Sequence, residues 1–521
     1  MINILKKYNL LPNNIDTSSI IYSFILINFA FLYHTLCFMW GNHDVHYVKE
    51  KVLLSSSLFE GRFTQFIPYV LLTQGQILPI LNNVISFIFL TLGLWVLAKY
   101  WNIKKSKLNY ILFITFFSTQ PYTLSWLYFS LNTISCLLWL LVAILGLHLS
   151  SYIYKQNKKT PLFITSFLCF YLTLGGYPPI INTIFVCLSA KILILYAFEN
   201  TSLKNILNQI TYPILIILTA LICYKITFIF IPLKEVYNLQ TVQPNEIFTK
   251  LISTILITFK QFIITQPFME KGYKIVLLTM SIISIVATIL QQPNIQKKLL
   301  TTLLIFITIL CASTSTFIAS APTQYVSRID FYGFALLYPL FFSLLLKISL
   351  PIAQSIGIIF MIILIPFNII NDYRALKIWK QGFDAEFQIL DRIVERIENH
   401  PKFNPSHQYR FLQIGDVTLR PAYYHEKYDV NEPFLFSLPY LAMWQGKNLI
   451  DFFSAFEYIA PQPEVIISDI NNDLLQFMQN EAQTWPHPNS IYINDNIIVL
   501  IFREKEKNEI ITKIQKTLSS S

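Results

Sequence analysis

Asp44, Arg62, Tyr177 and Arg328 carry groups able to do chemistry, and each lies outside the long apolar runs, in a segment between two of them. Asp44 lies in Gly41-Asn42-His43-Asp44-Val45-His46, a few residues past a run that closes at Trp40. A carboxylate at the mouth of a membrane groove can take the proton of a sugar hydroxyl as that oxygen attacks an activated anomeric carbon. The same residues also suit a cap, with Asn42 or Asp44 starting a surface helix. His43, Asp44 and His46 are metal-ligand types, but ligands this close in sequence converge only on a defined turn, and a polar loop accounts for them more simply. No cofactor is expected; a divalent metal is the one alternative the loop leaves open. Arg62 follows Glu60-Gly61, where the glycine lets the chain turn, and its fork suits phosphate oxygens. It is equally suited to snorkelling toward lipid phosphates in general. Arg328, in Gln324-Tyr325-Val326-Ser327-Arg328-Ile329-Asp330, can hold a phosphate or pair with a loop carboxylate; Lys271 and Lys274 pose the same choice more weakly. Gly175-Gly176-Tyr177-Pro178-Pro179 reads first as a sharp hairpin between two runs, though Tyr177 can stack on a sugar. Asp416 follows a strand-like segment but lacks a Gly-rich phosphate fingerprint.

The elements that must position these groups belong to a membrane. The chain has 521 residues, 54% hydrophobic and 13% charged, against about 25% charged in ordinary soluble domains. Residues 20–371 are long apolar runs with short polar breaks, too apolar for one water-soluble core, whereas 372–521 read as soluble protein. Much of the +10 formal charge sits in short loops, as at Lys104, Lys105, Lys107, Lys155, Lys158 and Lys159. That pattern orients spans by the positive-inside rule and shows no basic face for nucleic acid. The six cysteines all lie in or at the ends of apolar runs, with no zinc-type spacing, and the tail has none. Lys6 and Lys7 precede the run Ile20–Trp40, which is close to the roughly 20 residues of a crossing and reads as a retained first span.

Candidate spans are 20–40, 78–98, 109–124, 129–150, 161–176, 178–197, 211–232, 274–291, 300–320, 331–347 and 350–371, about eleven in all. Placing the lysine-bearing segments inside puts 41–77, 233–273, 321–330 and everything after 371 outside. Leu58, Phe63, Phe66, Ile67, Val70 and Leu71 in the first outer loop suggest a surface helix, as do Phe248, Leu251, Ile255, Phe259 and Phe262 in the second. The tail predicts a helix near 374–399, strands at 409–414 and 464–468, and a hairpin at 490–503. The expectation is a polytopic α-helical membrane protein, transmembrane over 1–371, with a C-terminal α+β domain over 372–521.

Several short motifs resemble one family in their order. They are Asn42-His43-Asp44 after the first span, Gly61-Arg62 followed by Gly75-Gln76-Ile77-Leu78-Pro79, Leu174-Gly175-Gly176-Tyr177 between spans, Ser327-Arg328 before a late span, then Asn371-Asp372, Trp379-Lys380-Gln381 and Leu412-Gln413-Ile414-Gly415. This order resembles the type II O-antigen glucosyltransferases, bacterial inner-membrane proteins that modify lipopolysaccharide. The resemblance implies a GT-C-like glycosyltransferase whose donor is undecaprenyl-phosphate-glucose or a similar sugar, and whose acceptor is a glycan met on the periplasmic face. It implies a cytoplasmic N-terminus and a periplasmic C-terminal domain. It also implies Asp44 as base, with Arg62 and Arg328 as holders of the donor phosphate. The chain departs from the wider superfamily in having His43-Asp44 where a pair of acids is common. A transporter or flippase of lipid-linked sugars is the first rival and calls for ionisable residues within the spans, where Lys191, Lys225 and His34 are few. A glycan polymerase is the second; the early Asp44 and the folded tail argue against it.

Overall fold

The computed structural model describes residues 10–37, 53–127, 130–155, 159–199, 201–231, 246–264, 271–318, 331–415, 458–464, 470, 472–494 and 496–520. Its helices are α1 (Asn14–Ala30), α2 (Leu32–Leu36), α3 (Leu54–Leu58), α4 (Ile67–Thr73), α5 (Pro79–Tyr100), α6 (Lys107–Thr119), α7 (Pro121–Leu127), α8 (Ser130–Ser150), α9 (Thr160–Gly176), α10 (Ile181–Ala197), α11 (Leu203–Phe230), α12 (Ile247–Ile263), α13 (Lys271–Leu290), α14 (Ile295–Leu310), α15 (Thr314–Ile318), α16 (Phe331–Leu345), α17 (Pro351–Glu398), α18 (Asn472–Asn480) and α19 (Glu504–Ser520). Among the described residues, seven stretches are long and apolar enough to cross a membrane: Pro79–Tyr100, Thr133–Ser150, Pro178–Ala197, Leu203–Phe230, Gly272–Leu290, Ile295–Phe317 and Pro351–Lys377. Thr160–Gly176 and Tyr332–Leu345 are apolar but shorter. Large apolar side chains point out of these helices, Ile229 at 77% and Phe230 at 79% exposure among them, which suits a hydrocarbon surround rather than water.

Three details differ from the sequence reading, each for a local reason. The first helix starts at Asn14, ahead of the apolar run, because the Asn13 side chain accepts the Asp16 amide at 3.0 Å while the Asp16 carboxylate accepts the Asn13 amide at 3.2 Å. This reciprocal cap fixes the start. The expected span 109–124 is two helices, α6 and α7, separated at Gln120, which is extended at φ −72°, ψ 149°. Pro121 forces that, since the residue before a proline is driven out of the helical region. The expected surface helix in the first outer loop is two short helices, α3 and α4, with a turn between them at Gly61, whose φ is +77°.

Among the described residues, those up to Ala375 form one compact unit, a helical bundle, and those from Leu376 onward belong to a second. The bundle has two chemically different ends. At one, Lys99 bonds Asp16 at 3.2 Å, the Asn102 amide reaches Glu199 at 2.6 Å, Lys347 reaches the Asn102 carbonyl and Gln292 reaches the Ala197 carbonyl at 3.1 Å. The lysine-bearing loops join the helices at this end. The opposite end collects the last turns of α6, α9 and α11 with the first turns of α13 and α16.

In the second unit the sheet order is β2-β1-β4-β3, made of β1 (Tyr409–Ile414), β2 (Ile459–Glu464), β3 (Ile491–Ile493) and β4 (Ile497–Ile501). β1 runs parallel to both β2 and β4, while β3 and β4 form the antiparallel hairpin expected around Asn494. Pro461 and Pro463 confine β2 to an edge, because proline has no amide hydrogen for a ladder. The expected strand at 464–468 falls almost wholly outside the described residues. Ile414, Val499 and Ile501 bury against Leu474, Met478 and Ile514 on one side of this sheet.

Candidate active site

The end of the bundle opposite the lysine-rich loops holds the polar groups with chemical potential. Arg62 reaches it through the turn after α3. The Ser57 carbonyl accepts the amides of Glu60 at 3.2 Å and Arg62 at 3.1 Å, and the left-handed conformation of Gly61 is one that a side chain resists. The turn is then tied to two helices, α9 and α11. The Thr64 amide donates to the Gly175 carbonyl at 2.8 Å, the Thr64 hydroxyl to the Leu172 carbonyl at 2.6 Å, and the Tyr224 hydroxyl to the Gly61 carbonyl at 3.0 Å. Phe63 wedges between Tyr171 and Tyr224, ring centroids 5.4 and 6.2 Å away.

This docking explains the paired glycines better than a turn does. Gly175 and Gly176 are the last residues of α9, still helical. A methyl group on Gly175 would come within 2.5 Å of the Phe63 ring, and one on Gly176 within 2.1 Å of Trp139. The glycines are present so that two large rings can touch backbone. The turn itself falls at Tyr177, extended at φ −154°, ψ 95°, before Pro178 and Pro179.

Two of the residues singled out from sequence meet here. The Arg62 guanidinium lies over the Tyr177 ring, 5.4 Å from its centroid, and forms an ion pair with Glu60 at 3.6 Å. The guanidinium side chain is 26% exposed, so it is held but still accessible. Tyr177 itself is only 5% exposed and tilts against Tyr332, whose ring stacks on Trp126 at 5.0 Å. Tyr177 therefore forms the wall behind Arg62. Asp44, with His43 and His46, lies outside the described residues, as do Arg328, Asp330 and Asp416.

Two buried charged residues stand at the same end. Lys274, four residues into α13 and 3% exposed, bonds the Tyr338 hydroxyl at 2.6 Å, the Gln261 carbonyl at 3.2 Å and the Tyr122 hydroxyl at 3.5 Å. Its neighbour Tyr273 donates to Asn368, whose amide reaches Thr119 at 3.3 Å. Asp372, one turn beyond Asn368 on α17, is 0% exposed, and neither carboxylate oxygen has a hydrogen-bond partner among the described residues. The sequence carried a signal for it: Asp372 is the one acid within the apolar stretch Pro351–Lys377, and acids are costly there. Lys274 stood in the sequence only as a weaker choice between a phosphate and a loop carboxylate; its burial gave no local sign, since its partners come from α7, α12 and α16.

Taken together, the site offers a held arginine, a buried ammonium, a buried carboxylate and stacked rings at one end of a membrane bundle. No curated protein and no solved structure matches this chain. Its sequence does match the glucosyl transferase GtrII family over residues 54–348, which takes in Arg62, Tyr177, Lys274 and Arg328 and more than half of the 521 residues. An apolar, many-helix chain carrying that match belongs to the GtrII glucosyltransferase family.

Proposed function

We propose that this glucosyltransferase takes glucose from undecaprenyl phosphate, on the periplasmic side of the bacterial inner membrane, and passes it to an O-antigen or related glycan. The observation that carries the reading is the Arg62–Tyr177 pair at the bundle end opposite the lysine-rich loops. Lysines mark the cytoplasmic side, so the opposite end meets the periplasm. On this reading the chain has about eleven spans in a GT-C-like arrangement within 1–371, and 372–521 form a periplasmic domain.

The chemistry asks for little from the protein. An acceptor hydroxyl oxygen bonds to the anomeric carbon as the bond from that carbon to the phosphate oxygen breaks. Asp44 takes the hydroxyl proton, and the bonding pair leaves with polyprenyl phosphate. Arg62 and Arg328 neutralise the charge gathering on that phosphate, and Tyr177 fixes the guanidinium so that no reorganisation is needed as charge develops. Positioning supplies the rest.

The test uses membranes containing the full chain, lipid-linked labelled glucose and a glycan acceptor. Transfer by the wild type and its loss in Asp44→Asn, at equal protein level, is the expected result. Unchanged transfer by Asp44→Asn removes the base from this scheme, and transfer from a nucleotide sugar instead removes the donor.

A further inference from the structure

α12 is inside out. Its inward face carries Lys250, Thr254, Thr258 and Gln261, stepping by four, four and three residues, while Phe248 and Leu256 on its outward face are 73% and 65% exposed. A helix in water would turn the other way, so its outward face is built for hydrocarbon. Its inward face must then have polar company. The hydroxyl of Thr254 is buried and bonds nothing among the described residues.

Lys274 stands at the C-terminal end of that polar face, reached through the Gln261 carbonyl. Its ammonium touches only neutral oxygens among the described residues, those of Tyr338, Tyr122 and Gln261. The faces of Tyr338 and Tyr122, at 5.2 and 5.8 Å, add cation–π attraction. Hydrogen bonds and ring faces orient a buried cation, but they do not supply the opposite charge that burial demands. Arg62 differs in having a carboxylate, that of Glu60, at 3.6 Å and in being 26% exposed. Arg62 also belongs to a different set of contacts, beyond the rings of Tyr177, Tyr332 and Trp126. The depth is right for a head group: the fourth residue of α13 lies about 4.5 Å along the axis from the helix start.

We propose that Lys274 anchors a second anion subsite, separate from Arg62, which takes the phosphate of a prenyl phosphate while the prenyl chain lies along the outward face of α12. The inference rests on the prenyl-phosphate reading above and adds where that lipid is gripped. Gln261 places a side-chain amide on the Tyr122 hydroxyl at 3.2 Å, so a second donor already points at the same place.

The experiment measures binding of a short-chain prenyl monophosphate, the matching prenyl alcohol and inorganic phosphate to the detergent-solubilised full chain. The wild type is expected to bind the monophosphate well above the other two. K274Q is expected to weaken that binding by at least about thirty-fold, and K274R to recover most of it. A photoreactive prenyl phosphate on the wild type, which needs no variant to fold, is expected to label α12 or α13. Equal affinity in K274Q and wild type, labelling confined to other helices, or inorganic phosphate binding as tightly as the lipid each overturns the inference. Lipid-linked glucose transfer that persists alongside such a result leaves the donor reading standing; a wild type that binds no prenyl phosphate sinks both.

Discussion

The amide of Thr64 and the carbonyl of Gly175 meet at 2.8 Å, joining the loop that carries Arg62 to the helix end that carries Tyr177. The two glycines beneath that bond admit Phe63 and Trp139 at distances no side chain permits. Gly175→Val should therefore lift the loop and move Arg62 by an ångström or more. A displacement of that size costs about 100-fold in rate. We expect normal membrane insertion with glucose transfer reduced on that order, measured as initial rate per mole of protein. A Gly175→Val enzyme with the wild-type rate would show that this bond does not set the arginine.

Arg62 and Tyr177 should behave as one unit. Tyr177→Phe keeps the ring under the guanidinium and gives up hydroxyl contacts, a loss of about 1 kcal/mol. Tyr177→Ala removes a buried ring and leaves a cavity, costing about 3–5 kcal/mol of stability. Because the ring braces Arg62, Arg62→Ala and Tyr177→Ala should lower kcat/KM less than additively in the double variant. Strict additivity in that cycle would argue that the ring and the guanidinium act separately.

At the other end of the bundle, Asp16 and Lys99 form an ion pair whose side chains are 1% and 3% exposed, with the ammonium also over Trp95 at 4.1 Å. Removing one partner leaves the other charge buried. Asp16→Asn should cost about 3–5 kcal/mol, read as a lower thermal midpoint in detergent. Replacing both residues by apolar ones of similar volume should recover much of it. A single variant as stable as the wild type would mean that water reaches this pair.

In the second unit, burial and the nearby Lys402 hold His400 below its ordinary value of about 6.5. Its Nδ1 accepts the Lys402 amide at 3.2 Å, as the neutral ring can. The unfolded chain then binds a proton that the folded one resists. The stability this contributes is present above the ordinary value and is lost as pH falls below it. A histidine-selective NMR titration should place His400 below the ordinary histidine value, and His400→Gln should flatten that part of the stability profile.

What could be read from the chain alone followed periodicity, and what could not followed direction. The alternation in Tyr409–Ile414 and the Asn494 turn led straight to β1 and the β3–β4 hairpin. The stripe of Phe248, Leu251 and Phe262 in α12 was equally visible, yet Phe248 and Leu251 point outward and Phe262 inward. A moment gives an axis and not the side on which lipid lies. Arg62 and Tyr177 were legible as residue types, but their contact joins positions 115 apart and depends on the Thr64–Gly175 bond. Lys274 was legible as a weak phosphate candidate, but not as a buried residue, because nothing local hides it. Three distant helices do.

The place of β4 in its sheet has a bearing on synthesis. It lies between β1 and β3, yet it is residues 497–501 of 521. A ribosome emits roughly 5–20 residues per second from the N-terminal end, so β1, complete at Ile414, waits roughly 4–17 s for the chain to reach Ile497 before its central neighbour begins to exist. A premature stop anywhere upstream of Ile497 strips the sheet of the inner strand that pairs with both β1 and β3, and takes Val499 and Ile501 out of the core that Leu474 and Met478 close on.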